Sequence, residues 1–394
     1  MTERSGAMQQ SAAAIRRVGF ARTLAIAAAS LLAACSTVVP KGPAAPPPPV
    51  VEAPRNQALP EDRERHRIAL LVPLSGANGN VGQSLANAAN LALLDTGGKG
   101  LRMTIYDTTN GGAAAAAQRA IAEGNGLILG PLLGPEVRAA APVAARAHVP
   151  IVAFSNDLGA AGDDVYLLGY QPAQSIERVV QYAASRGMKR FGGLVPTGIY
   201  GDRASSAFLH AVNAAGGSVV AMQSYDRSPA GLAAAARKLG TGFDAVLVAD
   251  NGRIAIQAAP SLKRGGSKLL GTELWNTEPS LAATPAMQGA WFAGVSDTLY
   301  GRFAAKYRTR FGKSPYRLAS LGYDAVLLAS RIAPDWRMGD AFPESRLRDH
   351  GGFSGVDGAF RFGHEGVAER GLEVYEIKPG GFVTISSAPA SFDR

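Results

Sequence analysis

Apolar runs of strand length alternate with helix-length segments along almost all of the chain after residue 66, and this alternation constrains the fold more than any other feature. Strand-like runs over 67–73, 101–106, 126–129 and 150–154 are separated by helical segments over 81–94, 113–123 and 135–147. A second series repeats the scheme. Helices over 173–185, 201–215, 231–239 and 252–263 alternate with strands over 189–195, 218–224, 245–249 and 268–271. Such alternation predicts parallel sheets covered by helices on both faces. The expected fold class is α/β, with two doubly wound parallel-sheet lobes of similar size.

The last hundred residues change character. After a strand over 290–293, Phe303, Tyr307 and Phe311 recur at four-residue spacing and mark one apolar helix face. A second helix is predicted over 318–332 and a loop over 341–351. Residues 353–362 and 372–385 then alternate like strands, with Lys378-Pro379-Gly380-Gly381 as a hairpin turn. Helices and strands this different imply that the chain crosses between lobes more than once, through a multi-crossover hinge. The expected organisation is 66–170 plus about 298–340 for the first lobe and 171–297 plus about 341–394 for the second.

The N-terminus reads as a targeting segment. Arg16, Arg17 and Arg22 precede an uncharged run over 23–34 that ends in Leu32-Ala33-Ala34-Cys35 and is too short to span a bilayer. Residues 1–34 are therefore expected to be a secretory signal peptide. A cysteine just after the cut resembles a bacterial lipobox, which makes Cys35 the lipidation site; the plainer reading is an ordinary signal with an incidental cysteine. Cys35 is the only cysteine, so no intramolecular disulfide can form. Residues 35–65 are rich in Pro and Ala, with Pro46-Pro47-Pro48-Pro49 at the centre, and predict an extended tether. Ser36 in place of Asp matches the lipoprotein pattern sorted to the outer membrane, so the expected location is the periplasm, membrane-anchored.

Hydrophobic residues make up 47% of the chain and charged residues 18%, which suits a well-buried core and excludes a disordered or coiled-coil protein. Arg4, Arg16, Arg17 and Arg22 against Glu3 place +3 of the formal +9 in residues 1–34, leaving +6. The remaining Lys and Arg occur in ones and twos without interleaved aromatics, so no nucleic-acid groove is indicated. The mildly basic surface either faces anionic lipid or polymer or is simply solvated.

The loop Pro73-Leu74-Ser75-Gly76-Ala77-Asn78-Gly79-Asn80-Val81-Gly82-Gln83-Ser84 offers backbone N–H groups between a strand and a helix. It is not GxGxxG. It also lacks the P-loop, with Ala77 in place of the first glycine and Gln83 in place of the lysine. What remains is a polar loop at the carboxyl end of a parallel strand, either a ligand loop containing Ser75 and Gly76 or a plain helix cap. Ser155 and Asn156 follow a later strand; they would hold a carboxylate or merely close a turn. From the second series, Tyr200, Asp250 and Glu273 sit at strand ends and would supply an aromatic wall and an acidic group for a cationic or zwitterionic ligand.

For catalysis the inventory is poor. His66, His148, His210, His350 and His364 are isolated and follow no metal-binding spacing, and Gly82-Gln83-Ser84-Leu85-Ala86 fails the GxSxG pattern. No enzyme, metal or cofactor is predicted.

Taken together the motifs resemble the leucine-binding type of periplasmic binding protein. The resemblance rests on 68–82, Gly130-Pro131, 150–156, Tyr200-Gly201, Leu321-Gly322-Tyr323-Asp324-Ala325-Val326 and Phe353-Ser354-Gly355-Val356-Asp357-Gly358. It implies the type I periplasmic binding protein fold and a non-enzymatic binding function. Leu132 and Leu133 depart from it, since transport members usually carry Ser or Thr there. Leu270-Gly271-Thr272-Glu273-Leu274-Trp275-Asn276 and the lipobox look more like penicillin-binding protein activator lipoproteins, which would contact a cell-wall synthase. The alternative implied by the family is a solute receptor docking on an ABC importer permease. In that case Ser75, Ser155 and Asn156 hold the carboxylate of a small amino-acid-like ligand and Glu273 its ammonium.

Overall fold

A computed structural model describes residues 64–98, 100–388 and Phe392, all within one compact unit, Ala58–Arg394. Cys35, the signal segment and most of the Pro/Ala-rich stretch lie outside the described residues.

The first lobe is built on a five-stranded parallel sheet in the order β2-β1-β3-β4-β5. Its strands are β1 (His66–Val72), β2 (Leu101–Asp107), β3 (Leu127–Leu129), β4 (Ile151–Ala153) and β5 (Val165–Leu167). Helices α1 (Gly79–Asp95), α2 (Gly112–Ala122) and α3 (Gly134–Arg146) fill the connections. The strand β1 shows why its sequence is almost continuously apolar. Ile68, Leu70 and Val72 enter one core while Ala69 and Leu71 enter the core on the opposite face, so both faces of the sheet are covered.

The second lobe follows the same plan. Strands β6 (Arg190–Pro196), β7 (Ser218–Tyr225), β8 (Ala245–Val248), β9 (Lys268–Gly271) and β10 (Trp291–Gly294) pair in parallel. Helices α4 (Pro172–Ser185) and α5 (Ile199–Ala214) cover one face; α6 (Pro229–Leu239) and α7 (Gly252–Leu262) cover the other, and a short α8 (Ser280–Ala283) precedes β10.

After β10 the chain returns to the first lobe. Helices α9 (Asp297–Phe311) and α10 (Ala319–Ile332) pack beside α1, with Phe303 and Tyr307 buried in the first core. The boundary expected near residue 341 is corrected by the next segment. Strands β11 (Phe353–Gly355), β12 (Gly358–Phe362) and β13 (Ala368–Arg370) form a small antiparallel sheet, and Phe353, Phe360, Phe362 and Ala368 are buried in the first lobe's core. Only β14 (Glu373–Lys378) and β15 (Gly381–Ser386) rejoin the second sheet, antiparallel at its edge. Period-two alternation announces strands but not the sheet that receives them. The strand-like stretch over 353–362 is two strands, divided at Val356-Asp357.

Three crossings therefore link the lobes: between β5 and α4, between β10 and α9, and between β13 and β14. A buried charged cluster ties them together. Arg317 Nη1 donates to Asp357 Oδ1 at 2.7 Å, to Ser320 Oγ at 3.1 Å and to Tyr170 Oη at 3.2 Å, and the Tyr170 hydroxyl also donates to Asp357. Arg370 donates to the carbonyl of Leu168 at 2.7 Å. Tyr170 lies in the first crossing, and Arg370 ends β13, where the third crossing begins. Beside them Asp324 Oδ1 accepts from the Val356 N–H at 2.7 Å. Burial, reinforced by the Asp357 charge, pushes the Asp324 carboxyl up to about 7.

Each lobe contains the same kind of tight internal contact. A Cβ on Gly82 in the first turn of α1 would stand 1.7 Å from the Pro73 carbonyl oxygen, and a Cβ on Gly201 in α5 would stand 1.6 Å from that of Pro196. Helix and strand end meet there without room for a methyl group. Gly82→Ala and Gly201→Ala should each destabilise the protein by about 1–3 kcal/mol in denaturant titrations, the usual cost of overpacking. Asp324 tests the hinge. Its pKa is raised on folding, so its contribution is fully present at acid pH and is lost as pH rises from about 4, the unfolded carboxylate range, to about 7. Asp324→Asn keeps the acceptor for Val356 and should gain stability relative to the parent between pH 5 and pH 8, read as a shift in guanidinium midpoint.

Candidate functional site

The carboxyl ends of both sheets point into the cleft between the lobes, the edge at which open α/β sheets place their ligand loops. On the first lobe, Ser75 and Gly76 lie exposed after β1, and the Ser75 side chain makes no capping hydrogen bond. The Ser75 carbonyl accepts from Thr109 Oγ1 at 3.4 Å. After β4, Ser155 is buried and its Oγ accepts from the Asp157 N–H at 3.0 Å, which closes a turn. Asn156 is exposed next to it.

On the second lobe three of the residues singled out by sequence come together. Tyr200 at the start of α5 is half-buried, with its hydroxyl 3.3 Å from Thr272 Oγ1. Burial, followed by the Glu273 charge, raises its phenol above the ordinary range. Glu273 accepts from Ser175 Oγ, and burial pushes its carboxyl up. Asp250, buried after β8, accepts from Tyr225 Oη at 2.7 Å, Arg227 Nε at 2.8 Å and the Asn251 N–H at 2.8 Å. Each acidic group in this wall already holds a donor from its own lobe.

Across the cleft the decisive contact involves two residues outside the predicted set. Asp157 on the first lobe is paired with Arg138 of α3 at 2.5 Å and with Arg203 of α5 at 2.6 Å. Arg203 also donates to the Asn156 carbonyl at 3.3 Å. The two guanidinium groups hold the Asp157 carboxyl down at about 2. Arg203 lies one helical turn beyond Tyr200, but nothing in the sequence shows that α5 faces the 155–157 loop. Ser175, Thr272 and Arg227 were missed for the same reason. Among the described residues no hydrogen bond joins Ser75 or Gly76 to the second lobe.

No group of three or more His, Cys, Asp or Glu that could hold a metal occurs among the described residues, and no described helix is long and apolar enough to cross a membrane. A cavity of about 790 Å3 lies away from the cleft, at the edge of the first lobe where β1 begins, lined by residues including His66, Leu327 and Phe353.

The family model for periplasmic binding proteins matches residues 66–381. The chain belongs to the periplasmic binding protein family. Solved structures agree with this periplasmic binding protein in fold. A putative branched-chain amino acid ABC transporter protein from Rhodospirillum rubrum superposes with a TM-score of 0.70 at 20% identity, covering 82% of this chain and 100% of that one. The substrate-binding protein LivJ of Streptococcus pneumoniae, solved with isoleucine, gives 0.60 at 18% identity, covering 83% and 100%. Full-length LpoA from Haemophilus influenzae gives 0.65 at 19% identity, covering 82% of this chain and 59% of LpoA. Among curated proteins, an uncharacterized protein of Rickettsia prowazekii is 23% identical over 187 residues, 47% of this chain and 50% of that protein. Family and fold are those of binding proteins.

The bridge between Asp157 and Arg203 predicts a pH-dependent closure. A partly exposed ion pair is worth up to about 1 kcal/mol, or roughly a fivefold shift in a two-state balance. Arg203→Ala should enlarge the radius of gyration by small-angle scattering at neutral pH. The Asp157 pKa is depressed, so the bridge is fully present above the unfolded carboxylate range near pH 4 and is lost as pH falls toward about 2. The difference between parent and variant should shrink over that window.

Proposed function

We propose that this protein is a non-enzymatic envelope lipoprotein, anchored through Cys35 to the outer membrane, whose lobes bind and activate a cell-wall synthase of the penicillin-binding type. The observation that carries this reading is the direct bridge from Asp157 to Arg203. A receptor that waits for a solute leaves its recognition groups to be satisfied by that solute. Here Asp157, Asp250 and Glu273 are satisfied by protein donors, and Leu132 and Leu133 replace the hydroxyl residues of transport members. The resemblance of 270–276 and of the lipobox to penicillin-binding protein activator lipoproteins supports the same reading, as does the fold shared with LpoA.

A second reading keeps the cleft as a receptor for an amino acid delivered to an ABC importer. It is favoured by Glu273, a half-buried acid beside Tyr200 that suits an ammonium group. Ser75, Ser155 and Asn156 would then hold the carboxylate.

Thermal melting against a panel of amino acids and peptidoglycan fragments separates the two. A ligand specific for the folded state adds about 2.7 kcal/mol at a hundredfold excess over its dissociation constant. The activator reading expects no saturable shift with any free amino acid and stimulation of a purified synthase in a glycan polymerisation assay. A saturable shift with an amino acid, without stimulation, overturns it in favour of the receptor.

A further inference from the structure

At the edge of the second sheet where the parallel strands begin, away from the cleft, a cavity of about 320 Å3 is lined by Met188, Asp244, Lys263, Ser267, Lys268 and Gln288 among others. Two ammonium groups converge on it. Lys263 Nζ donates to the Gln288 carbonyl at 2.6 Å and Lys268 Nζ to the next carbonyl, that of Gly289, at 2.9 Å. Consecutive peptide groups thus gather two like charges, each with N–H donors to spare.

No carboxylate among the described residues forms an ion pair with either lysine. Glu376 is taken by Lys378 at 2.7 Å, and Asp244 accepts from the backbone N–H groups of Lys189 and Arg190 at 2.8 and 2.9 Å. Burial pulls the Lys268 ammonium below the ordinary lysine range; the Glu376 charge opposes this, and Lys263 and Lys378 add to it. A concave, partly dry site with two unpaired cations favours an anion.

Gln288 narrows the chemistry. Its Nε2 donates to the carbonyls of Ala282 at 2.8 Å and Thr284 at 3.4 Å, which fixes the amide orientation and leaves Oε1 buried without a donor. An occupant that offers acceptors to both lysines suits the site, and a small shift of the Gln288 side chain would bring its buried Oε1 to an O–H of that occupant. The nearby Asp244 carboxylate also favours an oxyanion that keeps a proton.

We propose that this cavity binds phosphate, free or as a monoester, through Lys263 and Lys268, with Gln288 accepting the phosphate O–H. The site is separate from the cleft and independent of the function proposed above.

Trp291 provides a local probe, because Lys268 Nζ lies 4.4 Å from the centre of its ring. Full-length protein is titrated with inorganic phosphate, glycerol phosphate, sulfate and chloride at constant pH and ionic strength while tryptophan emission is followed. The expected result is a saturable change with phosphate that is absent in Trp291→Phe, with sulfate at least about tenfold weaker for want of the donated O–H, and with Lys268→Met weakening phosphate by a similar factor. Tighter binding of glycerol phosphate than of inorganic phosphate assigns an esterified ligand; the reverse order assigns the free ion. An unsaturable response, equal responses to sulfate and phosphate, or an unchanged response in Lys263→Met/Lys268→Met overturns the proposal. Where the variants fail to fold, phosphorus line broadening on the unaltered protein decides. Broadening that glycerol phosphate reverses and sulfate does not supports the site, and absence of broadening overturns it.

Discussion

The two-lobed form depends on the buried cluster of Arg317, Asp357, Tyr170 and Arg370 at the hinge. Asp357 is fully buried, and Arg317 is mostly buried, with 16% of its side chain exposed. Removing such charges from water costs several kcal/mol per ion, and only close pairing with further hydrogen bonds offsets it. Here the Tyr170 ring lies near both guanidinium groups, 5.7 Å from that of Arg317 and 4.9 Å from that of Arg370, while its hydroxyl serves Asp357. Because Tyr170 lies in the first crossing and Arg370 stands where the third begins, the cluster survives only if both crossings leave the first lobe at these points. Hydrophobic packing builds each lobe, and this cluster pins the first-lobe ends of two of the crossings that join them.

From that hinge the lobes meet again at the mouth of the cleft. Arg203 reaches Asp157 from α5, and the groups along the second wall are satisfied from their own lobe. A cleft bridged by protein side chains is chemically different from one bridged by a solute, since Asp157, Asp250 and Glu273 already hold protein donors. Closure then rests on a partly exposed pair of modest strength.

Much of the architecture was legible in the sequence because parallel α/β units impose a local signature. The run from Ile68 to Val72 is apolar at every position since both sheet faces are covered, and Phe303 and Tyr307 face one core through helical spacing. Strand β5 was missed because three residues at a sheet edge leave no periodic trace. The site was legible in part. Tyr200, Asp250 and Glu273 stand together on one wall as strand-end logic places them, whereas Ser155 is turned inward to its own loop.

The sequence by itself determined the elements, their β–α order, the two series of parallel units and the position of candidate groups at strand ends. All of these follow from hydrophobic periodicity and turn chemistry acting over a few residues. Tertiary structure alone decided that 353–370 joins the first lobe, that Tyr170, Arg317, Asp357 and Arg370 meet in one buried cluster, and that Arg203 finds Asp157. Those contacts join residues about forty to about two hundred positions apart, and their geometry depends on how whole sheets are packed, which no local pattern encodes.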